Sequence, residues 1–174
     1  FIGDGWTHLG ITFSYLIYGS LQNNYRALGT GSSLLHGIFF STILNQFLKR
    51  TTGRESPYRA TTKRGRWRFF PNQSEYNKNI SKYDAFPSGH LATSAVTLPV
   101  LLENYPEHRY WLLPVGTTLL TLLSYQMMNN GVHWASDYPL ALGMGYLIGK
   151  ISANYGKKVI KTDGKKIGFW DNIE

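Results

Sequence analysis

The sequence predicts an all-α protein: a helical bundle of about five to six helices, embedded in a membrane. Three observations lead there. Apolar residues fall in five long blocks almost free of Asp, Glu, Lys and Arg. None of the blocks alternates as a half-buried strand would, and each exceeds ordinary strand length. A single long polar stretch, residues 49–84, separates the second block from the third.

The blocks run in order through residues 5–25, 27–48, 85–102, 110–136 and 138–149. Several reach the roughly 20 residues that a helix needs to cross the hydrocarbon core of a bilayer. Polar residues dilute them: Ser14, His36, Thr42, Asn45, Gln46, Thr117, Thr118, Thr121 and Ser124. In a membrane bundle these are expected to face the interior. A mean hydropathy of −0.24 keeps a soluble or peripheral bundle as the alternative.

The polar stretch between the second and third blocks contains Gly53, Pro57, Gly65 and Pro71. It is too long for a plain connection in a compact domain, and loops of such length are often functional. The chain therefore reads as a single domain over residues 1–174, with a loop insert at 49–84 and a basic tail at 156–174.

The formal net charge is +8 and the basic residues are clumped. Lys49, Arg50, Arg54, Arg59, Lys63, Arg64, Arg66 and Arg68 lie close together, opposed only by Glu55. Lys150, Lys157, Lys158, Lys161, Lys165 and Lys166 follow the last apolar block. Such clusters suit phosphate esters or lipid headgroups. There is no zinc-finger spacing and no basic helix with heptads, so nucleic acid is not an expected partner. The absence of cysteine excludes a disulfide framework and a thiolate metal site.

Three short segments carry candidate chemistry. In Phe86-Pro87-Ser88-Gly89-His90 a proline stops any preceding helix, Ser88 suits an N-cap and Gly89 admits close approach of a ligand. The N–H groups of the following helix offer an anion site, and His90 could give a proton to a leaving oxygen. In His133-Trp134-Ala135-Ser136-Asp137 the carboxylate stands four residues after the imidazole. On a helix it could accept the Nδ1 proton of His133 and leave Nε2 as base or nucleophile. No third His or Cys lies nearby to complete a zinc site, so no metal and no cofactor is expected. In the segment from Lys49 to Pro57, Lys49 and Arg54 could present cationic donors to an oxyanion.

The order of these segments resembles the type 2 phosphatidic acid phosphatase and vanadium haloperoxidase superfamily. That family carries Lys, six residues, then Arg-Pro; next Pro-Ser-Gly-His; last Ser-Arg, five residues, His, three residues, Asp. Pro87-Ser88-Gly89-His90 matches in full, His133 and Asp137 match the end of the third motif, and Lys49 and Pro57 the ends of the first. The resemblance implies that the motifs meet at one end of a helical core. It implies that His133 attacks phosphorus to form a phosphohistidine, that Asp137 orients His133, and that His90 protonates the leaving alcohol. Lys49 and the Ser88–Gly89 region would hold phosphate oxygens, without a metal.

Two positions depart from the family. The arginine of the first motif falls on Ser56, and that of the third on Met127. Both changes remove guanidinium forks that would neutralise transition-state charge. Arg54 and Arg59, with Arg64, Arg66 and Arg68 of the insert, are the candidates to replace them. The expected activity is hydrolysis of lipid or small phosphate esters, or of a lipid diphosphate, at reduced rate. The alternative is a non-catalytic subunit of a membrane complex, with protein partners that the sequence does not name. The expected location is a bacterial inner membrane, with the site facing the periplasm and membrane lipids around the bundle. A soluble or peripheral periplasmic protein is the alternative.

Overall fold

In the computed structural model the described residues are 5–162, without the side chains of residues 156 and 158–162. Six α-helices follow in order: α1 (Gly5–Leu21), α2 (Tyr25–Thr52), α3 (Gln73–Lys78), α4 (Gly89–Asn104), α5 (Arg109–Asn129) and α6 (Tyr138–Thr162). Short 3₁₀ turns at Pro57–Arg59, Ile80–Lys82, Pro106–His108 and Ala135–Asp137 link them. No strand forms among the described residues; Arg54 makes isolated bridges to Trp67 and Asp84. The expected helical bundle is observed, and the insert carries one short helix, α3. The fifth apolar block extends as α6 into the basic tail, whose residues beyond 162, including Lys165 and Lys166, lie outside the described residues.

Local chemistry sets the helix ends. Asn24 opens α2 by accepting a hydrogen bond from the Ala27 N–H at 3.0 Å. Gly53 closes it in the left-handed region at φ 54°, with its N–H donating to the Lys49 carbonyl at 3.1 Å. A side chain there would also strike the Arg68 carbonyl. Ser88 caps α4 and its hydroxyl accepts from the Leu91 N–H.

Helix α4 is the axis of the bundle and packs against α1, α2, α5 and α6. Leu91, Ala92, Leu123, Met127, Tyr138, Ala141 and Met144 form one buried cluster, and Leu34, Ile38, Val96, Val100 and Ala153 another. Gly145 and Gly149 let α6 approach closely: a Cβ at Gly149 would stand 2.6 Å from the Val96 carbonyl oxygen.

The polar residues within the apolar blocks are placed differently from the expectation. Asn45 is buried, but Ser14, His36, Thr42, Gln46, Thr117, Thr118 and Thr121 are exposed. Several meet their hydrogen-bonding needs on their own helix: Ser14 Oγ donates to the Gly10 carbonyl at 2.8 Å and Thr121 Oγ1 to that of Thr117 at 2.9 Å. His36 Nδ1 donates to the Ser32 carbonyl at 2.8 Å. A donor bonded to the preceding turn needs neither the bundle interior nor water.

The bundle's flank is strongly apolar. Phe13, Ile17, Phe39, Phe40, Ile43, Phe47, Leu119, Leu122, Leu147 and Ile151 are all exposed, far more apolar surface than scattered exposed residues explain. By length and composition α2 alone among the described helices is apolar enough to cross a membrane, so the expectation of several such segments narrows to one. The site end gathers the C-termini of α2 and α5 and the N-termini of α4 and α6. At the opposite end Arg26 pairs with Glu107 at 2.6 Å, while Lys150 and Lys157 pair with Glu103 at 3.3 and 3.4 Å.

Candidate active site

Helix α2 delivers Lys49 in its last turn, and α4 delivers Gly89 and His90 in its first. These three line a cavity of about 230 Å³ with Gly5, Thr42, Asn45, Gln46 and Thr93. Lys49 is buried, and its Nζ stands 3.5 Å from Asp84 Oδ2. Gly89 keeps the α4 terminus open: a Cβ there would lie 3.4 Å from Asn45 Oδ1 and 3.7 Å from Lys49 Nζ. Ser88 is fully buried, and its N–H donates to the Asp137 carbonyl at 3.3 Å. It caps α4 and ties it to the loop bearing His133.

His133 follows the end of α5 and is 2% exposed. Its ring sits edge-on to that of His90, with centroids 5.9 Å apart. Its Nδ1–H donates to the Ala85 carbonyl at 2.7 Å. In the neutral ring this bond places the lone pair on Nε2.

The structure redraws the expected role of Asp137. Residues 130–134 are not helical, so the four-residue spacing does not act as a helical one. Asp137 Oδ2 is 3.8 Å from His133 Nδ1 and accepts instead from the Trp134 N–H at 2.7 Å. Its Oδ1 forms a buried ion pair with Arg54. The carbonyl of Ala85, rather than the carboxylate, accepts the hydrogen bond from His133 Nδ1–H.

None of the five arginines expected to replace the missing forks is among the described residues lining the cavity. Arg54 Nη1 reaches Asp137 and Ser136 Oγ, and Nη2 donates to the Arg64 carbonyl at 3.2 Å. Its guanidinium lies between Trp67, 4.7 Å from the ring centroid, and Trp134, at 5.4 Å. It is bound behind His133. Arg59 is exposed, 5.6 Å over the Tyr58 ring, and lines a separate cavity of about 580 Å³ with Ser56, Lys78, Lys82 and Asp84. Arg68 Nη2 pairs with Glu55 Oε1 at 2.6 Å. Met127 is buried in the apolar cluster and does not face the cavity.

Glu55 organises the insert. Its fully buried carboxylate accepts from the Thr61 N–H at 2.9 Å, the Arg66 N–H at 3.0 Å and Arg68. Burial pushes its pKa up, but these hydrogen bonds prevail and hold it down at about 2. The Glu55 carbonyl accepts from Trp134 Nε1 at 2.8 Å, which fastens the insert over the His133 loop.

Sequence reasoning missed Ala85, Asp84 and Asn45 as parts of the site. Ala85 acts through its backbone, which leaves no residue-type signal. Asn45 stands one turn before Lys49, on the same helix face, and that spacing was the available sign. Among the described residues no cluster of three His, Cys, Asp or Glu that could hold a metal is found.

The PAP2 superfamily model matches residues 30–161. The crystal structure of Aquifex aeolicus LpxE has a similar fold, with a TM-score of 0.55 at 22% identity over 90% of this chain and 79% of that one. No curated protein matches the chain.

Proposed function

The chain belongs to the PAP2 superfamily, and from that premise we propose that it is a metal-independent phosphatase of lipid phosphate esters acting through a phosphohistidine. Family membership supports phosphate-ester hydrolysis. The observation that carries the reading to these residues is the hydrogen bond from His133 Nδ1 to the Ala85 carbonyl, with His90 alongside.

The chemistry follows from that tautomer. His133 Nε2 attacks phosphorus, the bond to the ester oxygen breaks, and His90 gives that oxygen its proton. His90 then accepts a proton from water, whose oxygen attacks the phosphohistidine. Inorganic phosphate leaves and Nε2 regains its lone pair. Lys49 neutralises charge on the phosphate oxygens.

The lipid preference rests on the apolar flank and on a groove of about 330 Å³ between α1 and α5. Ile11, Tyr15, Leu98, Leu101, Val115 and Leu119 line it, and it reaches His8 and Ser94, on the helices α1 and α4 that also bear the cavity residues Gly5 and Thr93. Such a groove suits an acyl chain. The apolar flank favours a membrane-embedded protein, and a periplasm-facing site belongs to the same reading.

One observation favours a non-catalytic subunit: Lys49 is the sole Lys or Arg among the described residues lining the cavity. The deciding experiment is phosphate release from a long-chain lipid phosphate and from an aryl phosphate, with wild type, His133→Ala and His90→Ala side by side. Release that depends on His133 supports the enzyme. Equal release from wild type and His133→Ala leaves the subunit reading.

A further inference from the structure

We propose that Asn45 is a substrate-binding residue whose side-chain amide donates a hydrogen bond to a phosphate oxygen held against Lys49. The inference rests on the phosphatase reading and adds to it a neutral donor outside the three motifs.

The geometry carries it. Asn45 is 3% exposed and lines the cavity that holds Lys49, Gly89 and His90. Its Nδ2 is buried without a hydrogen-bond partner. Three buried side-chain atoms lack a partner among the described residues: Ser41 Oγ, Asn45 Nδ2 and Arg54 Nε. Of these, the Asn45 atom alone belongs to a cavity-lining residue. A buried donor left unmet is costly, and a ligand oxygen is the acceptor that would relieve it. The amide group lies beside the start of α4, its oxygen toward Gly89: a Cβ there would lie 3.4 Å from Asn45 Oδ1. One helical turn separates Asn45 from Lys49, so the amide and the ammonium present together to one anion.

The missing arginines explain the need. Ser56 lines a different cavity, Met127 lies in the core, and Arg54 is bound to Asp137. A phosphate at Lys49 therefore meets one ammonium, and its other oxygens require neutral donors. Asn45 supplies one without adding charge.

Vanadate is the probe, measured as inhibition of aryl phosphate hydrolysis and as direct binding to the full chain in detergent. Asn45→Ala is expected to weaken vanadate and to lower kcat/KM by about tenfold or more, the worth of a hydrogen bond to a charged group. Asn45→Asp keeps the shape but turns an oxygen toward the anion, and is expected to lose more. Neither loss is to follow the melting temperature of the ligand-free protein. Vanadate affinity within about twofold of wild type in both variants overturns the proposal, as does a loss seen solely where the fold has melted. If wild type hydrolyses the ester and loses that activity in His133→Ala while both Asn45 variants match it, the role of Asn45 falls and the phosphatase stands. If wild type neither hydrolyses the ester nor binds vanadate, both fall.

Discussion

His133 Nδ1–H donates a hydrogen bond to the Ala85 carbonyl at 2.7 Å, while the Asp137 carboxylate stands 3.8 Å from that nitrogen and holds Arg54. The histidine is thus oriented by backbone, and the carboxylate belongs to a buried ion pair behind it. Removing one partner of such a pair leaves an uncompensated buried charge, at a cost of about 3–5 kcal/mol, whereas replacing both is far milder. Asp137→Asn is therefore expected to lower the melting temperature markedly. The double change Arg54→Met with Asp137→Leu is expected to recover most of that loss, and thermal melts of the single and double variants check it.

The insert should respond to acid through Glu55. Its folded pKa of about 2 lies below its ordinary value of 4.5. The stabilisation is fully present above about pH 4.5 and is lost as the pH falls toward 2. Emission from Trp134 and Trp67, which sit on the insert's contacts, should report the opening in that window. Glu55→Gln is expected to be less stable at neutral pH and to lose most of this acid step.

Filling the groove between α1 and α5 should separate lipid from small substrates. Val115 lines the groove and is half exposed. Val115→Trp is expected to raise KM severalfold for a long-chain lipid phosphate and to leave an aryl phosphate unaffected. An equal effect on both would place the acyl chain elsewhere.

Much of this was legible in the sequence. Uncharged blocks announced the helices because a bundle helix must present apolar surface along its length. Pro87, Ser88 and Gly89 announced the start of α4 because each has a distinct backbone role. The tautomer of His133 was not legible, since it depends on a carbonyl 48 residues away. Nor was the fate of the arginines. Arg54 stands two residues before Ser56 in sequence, yet the chain turns after Gly53 and sends the guanidinium to Asp137. Met127 occupies the motif position of an arginine by counting, but α5 points it into the core.

The role of His133 as nucleophile is decided by phosphate release from a long-chain lipid phosphate, with purified wild type beside folded His133→Ala. Release by wild type and a fall of about a thousandfold or more in the variant are expected. Equal release from the two proteins would contradict that role.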